Sequence, residues 1–103
     1  MDDVCHGTKR ASEVEQEVRH GVTEFVVPAY YWTGGRLAGS DDVQVEEVEP
    51  RGTASIGFEI WADTLNDAMA AMTELCQENE SHFVYFSLQL QSPSRLKPCR
   101  DRP

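Results

Sequence analysis

The sequence predicts an α+β fold: a mixed, mostly antiparallel sheet of four strands with one main amphipathic helix, about 64–79, on one face. Residues 54–62 and 82–91 each alternate between apolar and polar side chains, which is typical of strands with one buried face. Between them, residues 65–78 carry apolar side chains at helical spacing. These are Leu65, Ala68, Met69, Met72, Leu75 and Cys76.

Polar residues indicate both ends of this helix. Thr64 is a favourable N-cap, and Asp67 stands three residues later, where a capping box carries an acidic or amide side chain. At the other end, Asn79 is the only stop signal. Because the links to the flanking strands are very short, we expect a right-handed crossover that leaves those two strands parallel.

An earlier strand is predicted within residues 22–32, which begin with a β-branched and aromatic run. Pro28 lacks a backbone N–H, so this strand lies at a sheet edge or is interrupted there. The glycines of residues 33–42 predict either a loop or a tight turn at Gly34 and Gly35 with a short return strand.

A further strand is predicted over residues 43–49. Its alternation breaks where Glu46 and Glu47 stand side by side, which predicts a β-bulge. Residues 49–52 have proline and glycine in the positions of a type I turn, so the chain is expected to return antiparallel into the strand at 54–62.

A short helix at about 9–20 is predicted near the N-terminus, with Thr8 or Ser12 as its cap and Gly21 just beyond its end. Its apolar residues at helical spacing are Ala11, Val14 and Val18. Alternation of the same valines leaves a strand open as the alternative, but glutamates, which are poor strand formers, favour the helix.

Length and composition predict one domain over residues 1–91, with 1–7 loosely ordered and 92–103 a disordered, basic, proline-rich tail. The chain has a net charge of −9, and residues 21–91 carry twelve acidic and two basic side chains. Such a body repels phosphate backbones, so nucleic-acid binding is disfavoured. Complementary charge favours a basic protein partner, although the charge can also serve solubility alone.

The chain is expected to be cytoplasmic and to bind no membrane. Its apolar runs are far shorter than the roughly 20 residues of a membrane span, and its acidic start lacks the order of a signal peptide. Three cysteines without close pairing predict reduced thiols. Neither the histidines nor the acidic residues have metal-ligand spacing, so no metal site and no cofactor are predicted.

Alternation places several aromatic side chains on the sheet face opposite the main helix, where they would form an interface or bind a ligand. The candidates are Tyr30, Trp32, Trp61, Phe83 and Tyr85. Three coverings are open: the N-terminal helix, a second copy of the chain, or another ligand or protein. The helix has few apolar side chains, so a homodimer is favoured.

No catalytic residue is predicted, and Glu59 and His82 are only weak candidates for polar groups in a pocket. A second candidate site is an acidic docking ridge on the main helix, made of Asp67, Glu74, Glu78 and Glu80. The expected function is therefore a non-enzymatic binding module of the inhibitor or immunity type. The alternative is a small dimeric enzyme or ligand carrier with its pocket between paired sheets.

Overall fold

The computed structural model describes residues 10–34 and 43–90 of this 103-residue chain and confirms the α+β fold. Its elements are helix α1 (Ala11–Arg19), strand β1 (Glu24–Pro28), a 3₁₀ turn (Ala29–Tyr31), strand β2 (Gln44–Val48), strand β3 (Ile56–Ala62), helix α2 (Leu65–Glu78) and strand β4 (Phe83–Leu90). The predictions for 1–7, for the glycine-rich stretch after Gly34 and for the 92–103 tail lie outside the described residues.

The four strands form one mixed sheet in the order β1-β4-β3-β2. The pairs β1–β4 and β2–β3 are antiparallel, and β3–β4 is parallel. The parallel pair is the one joined through α2, as the short links predicted. Since β4 inserts between β1 and β3, the two outer strands of the sheet are β1 and β2.

The hydrophobic core lies between α2 and one face of the sheet. Each large side chain that is fully buried there contributes about 1.5–3 kcal/mol relative to its exposed state. These side chains are Phe86, Ile60, Met69, Met72, Leu88, Val14, Val27 and Val84. The predicted apolar stripe of α2 is confirmed, with Leu65 and Leu75 partly buried at its margins.

Helix α1 packs on the same side of the sheet as α2. Val14 is fully buried in the cluster that contains Met72 and Phe86, and Val18 packs against that cluster. The N-terminal segment is therefore a helix, as favoured, and it does not cover the opposite face of the sheet. One of the three coverings considered for that face is thereby excluded.

The two ends of α1 differ in how well the sequence predicted them. The N-cap is Arg10, whose N–H donates to Glu13 Oε1 at 3.3 Å, so the expected caps at Thr8 or Ser12 are wrong. The C-terminal prediction holds, because Gly21 has φ of +91° and directly follows the C-cap residue. Its N–H donates to the Val18 carbonyl at 2.9 Å, and the Val22 N–H donates to the Glu17 carbonyl, five residues back, at 2.8 Å, which is a Schellman motif.

Helix α2 begins and ends where the sequence predicted. Thr64 Oγ1 accepts a hydrogen bond from the Asp67 N–H at 3.1 Å, which caps the first turn. At the C-terminal end, the Asn79 side chain donates to the Leu75 carbonyl at 2.9 Å. No basic residue lies in the last turn, so nothing within the helix balances the negative end of its dipole.

Two local predictions about β2 and the loop after it are wrong. The β2–β3 register runs without interruption from Gln44 to Val48, so there is no bulge. Glu47 therefore shares the α2 side of the sheet with Phe58, but it stays exposed, and α2 packs chiefly on β3 and β4. The turn closes later than predicted, with the Ala54 N–H donating to the Arg51 carbonyl at 3.1 Å.

The β2–β3 loop folds back onto the sheet face opposite α2, and Gly57 makes this possible. A Cβ at this position would lie 3.0 Å from the Val48 carbonyl oxygen, 3.1 Å from Pro50 Cα and 3.1 Å from Tyr85 Cδ2. Glycine inside a strand often marks such a close approach of another backbone. The loop thus packs directly over β3 and against the Tyr85 ring.

We predict that Gly57→Ala lowers the free energy of unfolding by about 1–3 kcal/mol, because the methyl group overpacks a site bounded by backbone atoms. Urea denaturation measures this change. The control is Glu46→Ala on the exposed outer strand, which should stay within about 0.5 kcal/mol of the parent chain. If the two variants have equal stability, the loop does not pack on Gly57 as described.

Candidate functional site

The sheet face opposite α2 contains only part of the predicted aromatic set. Register and alternation place Trp61, Phe83 and Tyr85 there. Trp32 instead lies on the α2 side, where its indole Nε1–H donates to Thr73 Oγ1 at 3.0 Å. Tyr30 lies at the end of the sheet, with its ring edge-on to Phe83 at a centroid distance of 6.0 Å. The five side chains therefore do not form one continuous surface.

Tyr85 is covered by the chain's own β2–β3 loop. The ring is only 6% exposed, and the Arg51 guanidinium carbon lies 5.9 Å from its centroid. The sequence-based argument favoured a second copy of the chain as the cover of this face, whereas Tyr85 is covered by a loop of its own chain. Two residues of the sequence could have indicated this cover. Arg51 is the sole basic residue of 43–90, and Gly57 is a glycine inside a predicted strand.

A small polar network surrounds the Tyr85 hydroxyl. The hydroxyl donates to Glu24 Oε1 at 3.1 Å, and Arg51 approaches the same carboxylate oxygen at 3.5 Å. Burial, followed by the neighbouring Glu24 carboxylate, raises the pKa of Tyr85. Glu59 and Ser87 line the same shallow depression of about 360 Å³. Since the ion pair is largely exposed, it contributes little to the free energy of unfolding, and its main effect is to hold the β2–β3 loop in place.

Trp61 is half-buried, and its neighbours in the register are polar. Gln44 lies beside it on β2 and Gln89 on β4, while Glu59 is the next residue on the same face. The tryptophan is therefore a single apolar side chain within a polar surface, which is ordinary for a folded protein. The apolar area that motivated the homodimer is smaller than the sequence suggested.

Glu59 and His82 are not brought together. The parallel register places Glu59 next to Ser87, five residues along the chain from His82. At about 3.3 Å per residue in a strand, this separates the two positions by roughly 16 Å. The pocket that the alternative function required from these two side chains is therefore not assembled within one copy of the chain.

His82 instead has a serine partner. Its Nδ1 lies 2.8 Å from Ser55 Oγ, at the point where β3 and β4 both begin. An activated serine needs a base that a third group orients. Within the described part of the chain, no carboxylate bonds to His82, and the Ser55 N–H beside this pair donates to the Phe83 carbonyl at 2.9 Å. We read this pair as a link between two strand ends.

A cavity of about 530 Å³ lies where the C-terminal half of α2 meets the 3₁₀ turn, and we call it the α2-end cavity. Aromatic and polar side chains line it together, chiefly Tyr30, Trp32, Thr73, Cys76, Gln77 and Glu80. Burial raises the pKa of the Cys76 thiol to about 12, so this sulfur stays protonated at neutral pH. The sequence analysis missed the cavity because it requires Trp32 to lie on the α2 side.

The residues of the predicted acidic ridge are distributed along α2. Asp67 lies in the first turn and is half-buried, whereas Glu74 and Glu78 are exposed one helical turn apart. Glu80 follows the helix and lines the α2-end cavity. The ridge therefore consists of a close pair and two outlying members, and its docking role stays a prediction.

Searches for other chemistry and for relatives give no match. Within residues 10–34 and 43–90, no three metal-ligating side chains cluster, and no helix is long and apolar enough to cross a membrane. No protein family, no curated protein and no solved structure matches this chain.

We predict that Tyr85→Phe flattens the decline of stability between pH 9 and 11. Because the pKa of Tyr85 is raised by folding, its contribution is complete below about 10, the pKa of an unfolded tyrosine, and is lost as pH rises through the folded value. Cys76, whose pKa is also raised, contributes to the same slope in both chains. Thermal denaturation across this pH range measures the difference.

The control for this experiment is Tyr31→Phe, since that ring is 50% exposed. Its midpoint temperatures should fall with pH as steeply as those of the parent chain. Equal slopes in all three chains would contradict the burial and hydrogen bonding of the Tyr85 hydroxyl.

Proposed function

We propose that this chain is a small, acidic, non-enzymatic binding module that receives an extended basic segment of a protein partner along strand β2. The observation that carries this proposal is the outer edge of β2. Among residues 10–34 and 43–90, this strand pairs only with β3, and four of its five side chains are exposed. The edge is also acidic, since Glu46 and Glu47 lie in its centre and Glu49 follows it.

An outer strand presents unpaired N–H and C=O groups, and monomeric proteins usually guard such edges with proline, a bulge or lysine. The opposite edge of this sheet is guarded, because β1 ends at Pro28 and continues into the 3₁₀ turn. Strand β2 contains no proline, and its register with β3 has no bulge. Within the described residues, β2 is thus the edge that a further strand can join.

The side chains of β2 select the kind of strand that joins. Pairing of two β2 edges would place Glu46 and Glu47 of one copy against the same carboxylates of the other, and like charges opposite each other destabilise a sheet. A strand with lysine or arginine at these positions is favoured instead. Exposed Val45 offers an apolar contact on the α2 side. In strand addition, the backbone supplies the hydrogen bonds and the side chains supply the specificity.

The charge of the surrounding body supports the same partner. Residues 43–90 carry nine acidic side chains and one basic one. This field attracts a basic segment and accelerates its encounter, and it weakens with salt because the Debye length is about 8 Å at physiological ionic strength. Self-association through the Trp61 face stays a prediction, and sedimentation at micromolar concentration tests it.

We predict that a peptide of alternating lysine and valine binds along β2. Backbone amide shifts should map to residues 44–48, amide exchange there should slow, and affinity should fall as salt rises. The double variant E46K/E47K should weaken binding about tenfold, because it replaces attraction by repulsion at the centre of the strand. Calorimetric titration of both chains measures the ratio.

The matched control is E74K/E78K, which makes the same change in net charge on the exposed side of α2. It should leave the affinity nearly unchanged. A larger loss in this control than in E46K/E47K would place the docking surface on the acidic ridge. Equal losses in both variants would show attraction by net charge alone, and either result would overturn the strand-addition proposal.

A further inference from the structure

The α2-end cavity combines two kinds of group that together select an organic cation. Tyr30 and Trp32 supply aromatic walls, and Glu80 supplies a carboxylate. Aromatic faces attract a cation through their quadrupole, and the carboxylate adds a charge-assisted hydrogen bond. A volume of about 530 Å³ is sufficient for a long basic side chain.

The aromatic walls are held in place before any ligand binds. The Trp32 indole is fixed by its 3.0 Å hydrogen bond to Thr73 Oγ1, which in turn donates to the Met69 carbonyl at 2.9 Å. Gly34 packs against the same indole so closely that a Cβ there would clash with it. Tyr30 is 53% exposed, yet rings on two sides contact it, Tyr31 at 4.8 Å and Phe83 at 6.0 Å. Fixed walls reduce the entropy lost on binding.

The electrostatic environment of the cavity favours positive charge. It lies at the C-terminal end of α2, where the helix dipole places partial negative charge and no basic residue balances it. Glu78 and Glu80 add full charges to the same end. Burial keeps the Cys76 thiol protonated, so the wall contributed by this residue is neutral. Anions are disfavoured here, and a soft metal would lack a thiolate ligand.

We infer that the α2-end cavity is a binding site for the guanidinium or ammonium group of an arginine or lysine side chain. The identification of its natural source as a basic protein rests on the proposed function. The affinity of the cavity for the cation itself does not, because the lining alone determines it. The structure thus assigns two contacts to one kind of partner: a strand along β2 and a single basic side chain at the far end of α2.

The probe for this site is N-acetylarginine methylamide, with N-acetylglutamine methylamide as its neutral match. The chain has two tryptophans, so the Trp61→Phe variant leaves the Trp32 indole N–H as a single reporter in NMR spectra. We expect a saturable shift of this signal with the arginine compound, in the millimolar range, and none with the glutamine compound. Equal shifts with both compounds would overturn the inference.

Two variants test the roles of the lining. Glu80→Gln and Tyr30→Leu should each weaken arginine binding about two- to fivefold, through loss of the carboxylate and of one aromatic wall. Glu74→Gln removes a carboxylate of α2 that does not line the cavity, and it should leave the affinity for the arginine compound unchanged. If Glu80→Gln and Glu74→Gln behave alike, the carboxylate does not form part of the site.

Failure of this inference and failure of the proposed function give different results. A single arginine residue is too short to pair along β2, so its binding is independent of the strand edge. Loss of the indole shift with retained peptide binding would reject only the cavity. Indole shifts without peptide binding would reject only strand addition.

Discussion

The placement of α2 over β3 and β4 determines which surfaces this protein presents. A crossover helix between two adjacent parallel strands lies over those strands, and its diameter of about 10 Å is roughly the width of two strands spaced about 4.8 Å apart. The core therefore forms at the centre of the sheet, and α1 supplements it through Val14 on the same side. Strand β2 lies at the margin of this core, and four of its five side chains are exposed. An acidic sequence is tolerated there because no burial opposes its charge.

The opposite face of the sheet shows how a short loop can replace a helix or a partner. Gly57 lets the β2–β3 loop lie on the strand, and Arg51 crosses the Tyr85 ring to reach Glu24, which lies on β1 on the same face of the sheet. This arrangement covers the Tyr85 ring with atoms of the same chain. What remains around Trp61 is polar. Atoms of the same chain therefore cover Tyr85, while self-association through the Trp61 face stays a prediction.

The sequence predicted the elements well because each depends on local pattern. The stripe of α2, its Thr64 cap and the Gly21 stop of α1 involve residues within one or two turns of each other. Predictions that needed distant contacts were less successful. Trp32 was expected on the same face as the other aromatic residues, yet its hydrogen-bond partner on the α2 side, Thr73, is 41 residues away in the sequence. Glu59 and His82 were paired by face, but their distance depends on the register, which alternation does not specify.

The end of α2 contains a local conflict that a cationic ligand would resolve. Two acidic residues stand at the negative end of the helix dipole, an arrangement that typically costs a few tenths of a kcal/mol or more for each charge. The last turn contains no basic residue to offset this, although Asn79 bonds back to Leu75 and satisfies one carbonyl. Beside these charges lie two aromatic rings that are already fixed in position. In a sequence that otherwise agrees with its fold, locally unfavourable residues are expected mainly at functional sites. Here the unfavourable acidic residues lie beside the α2-end cavity.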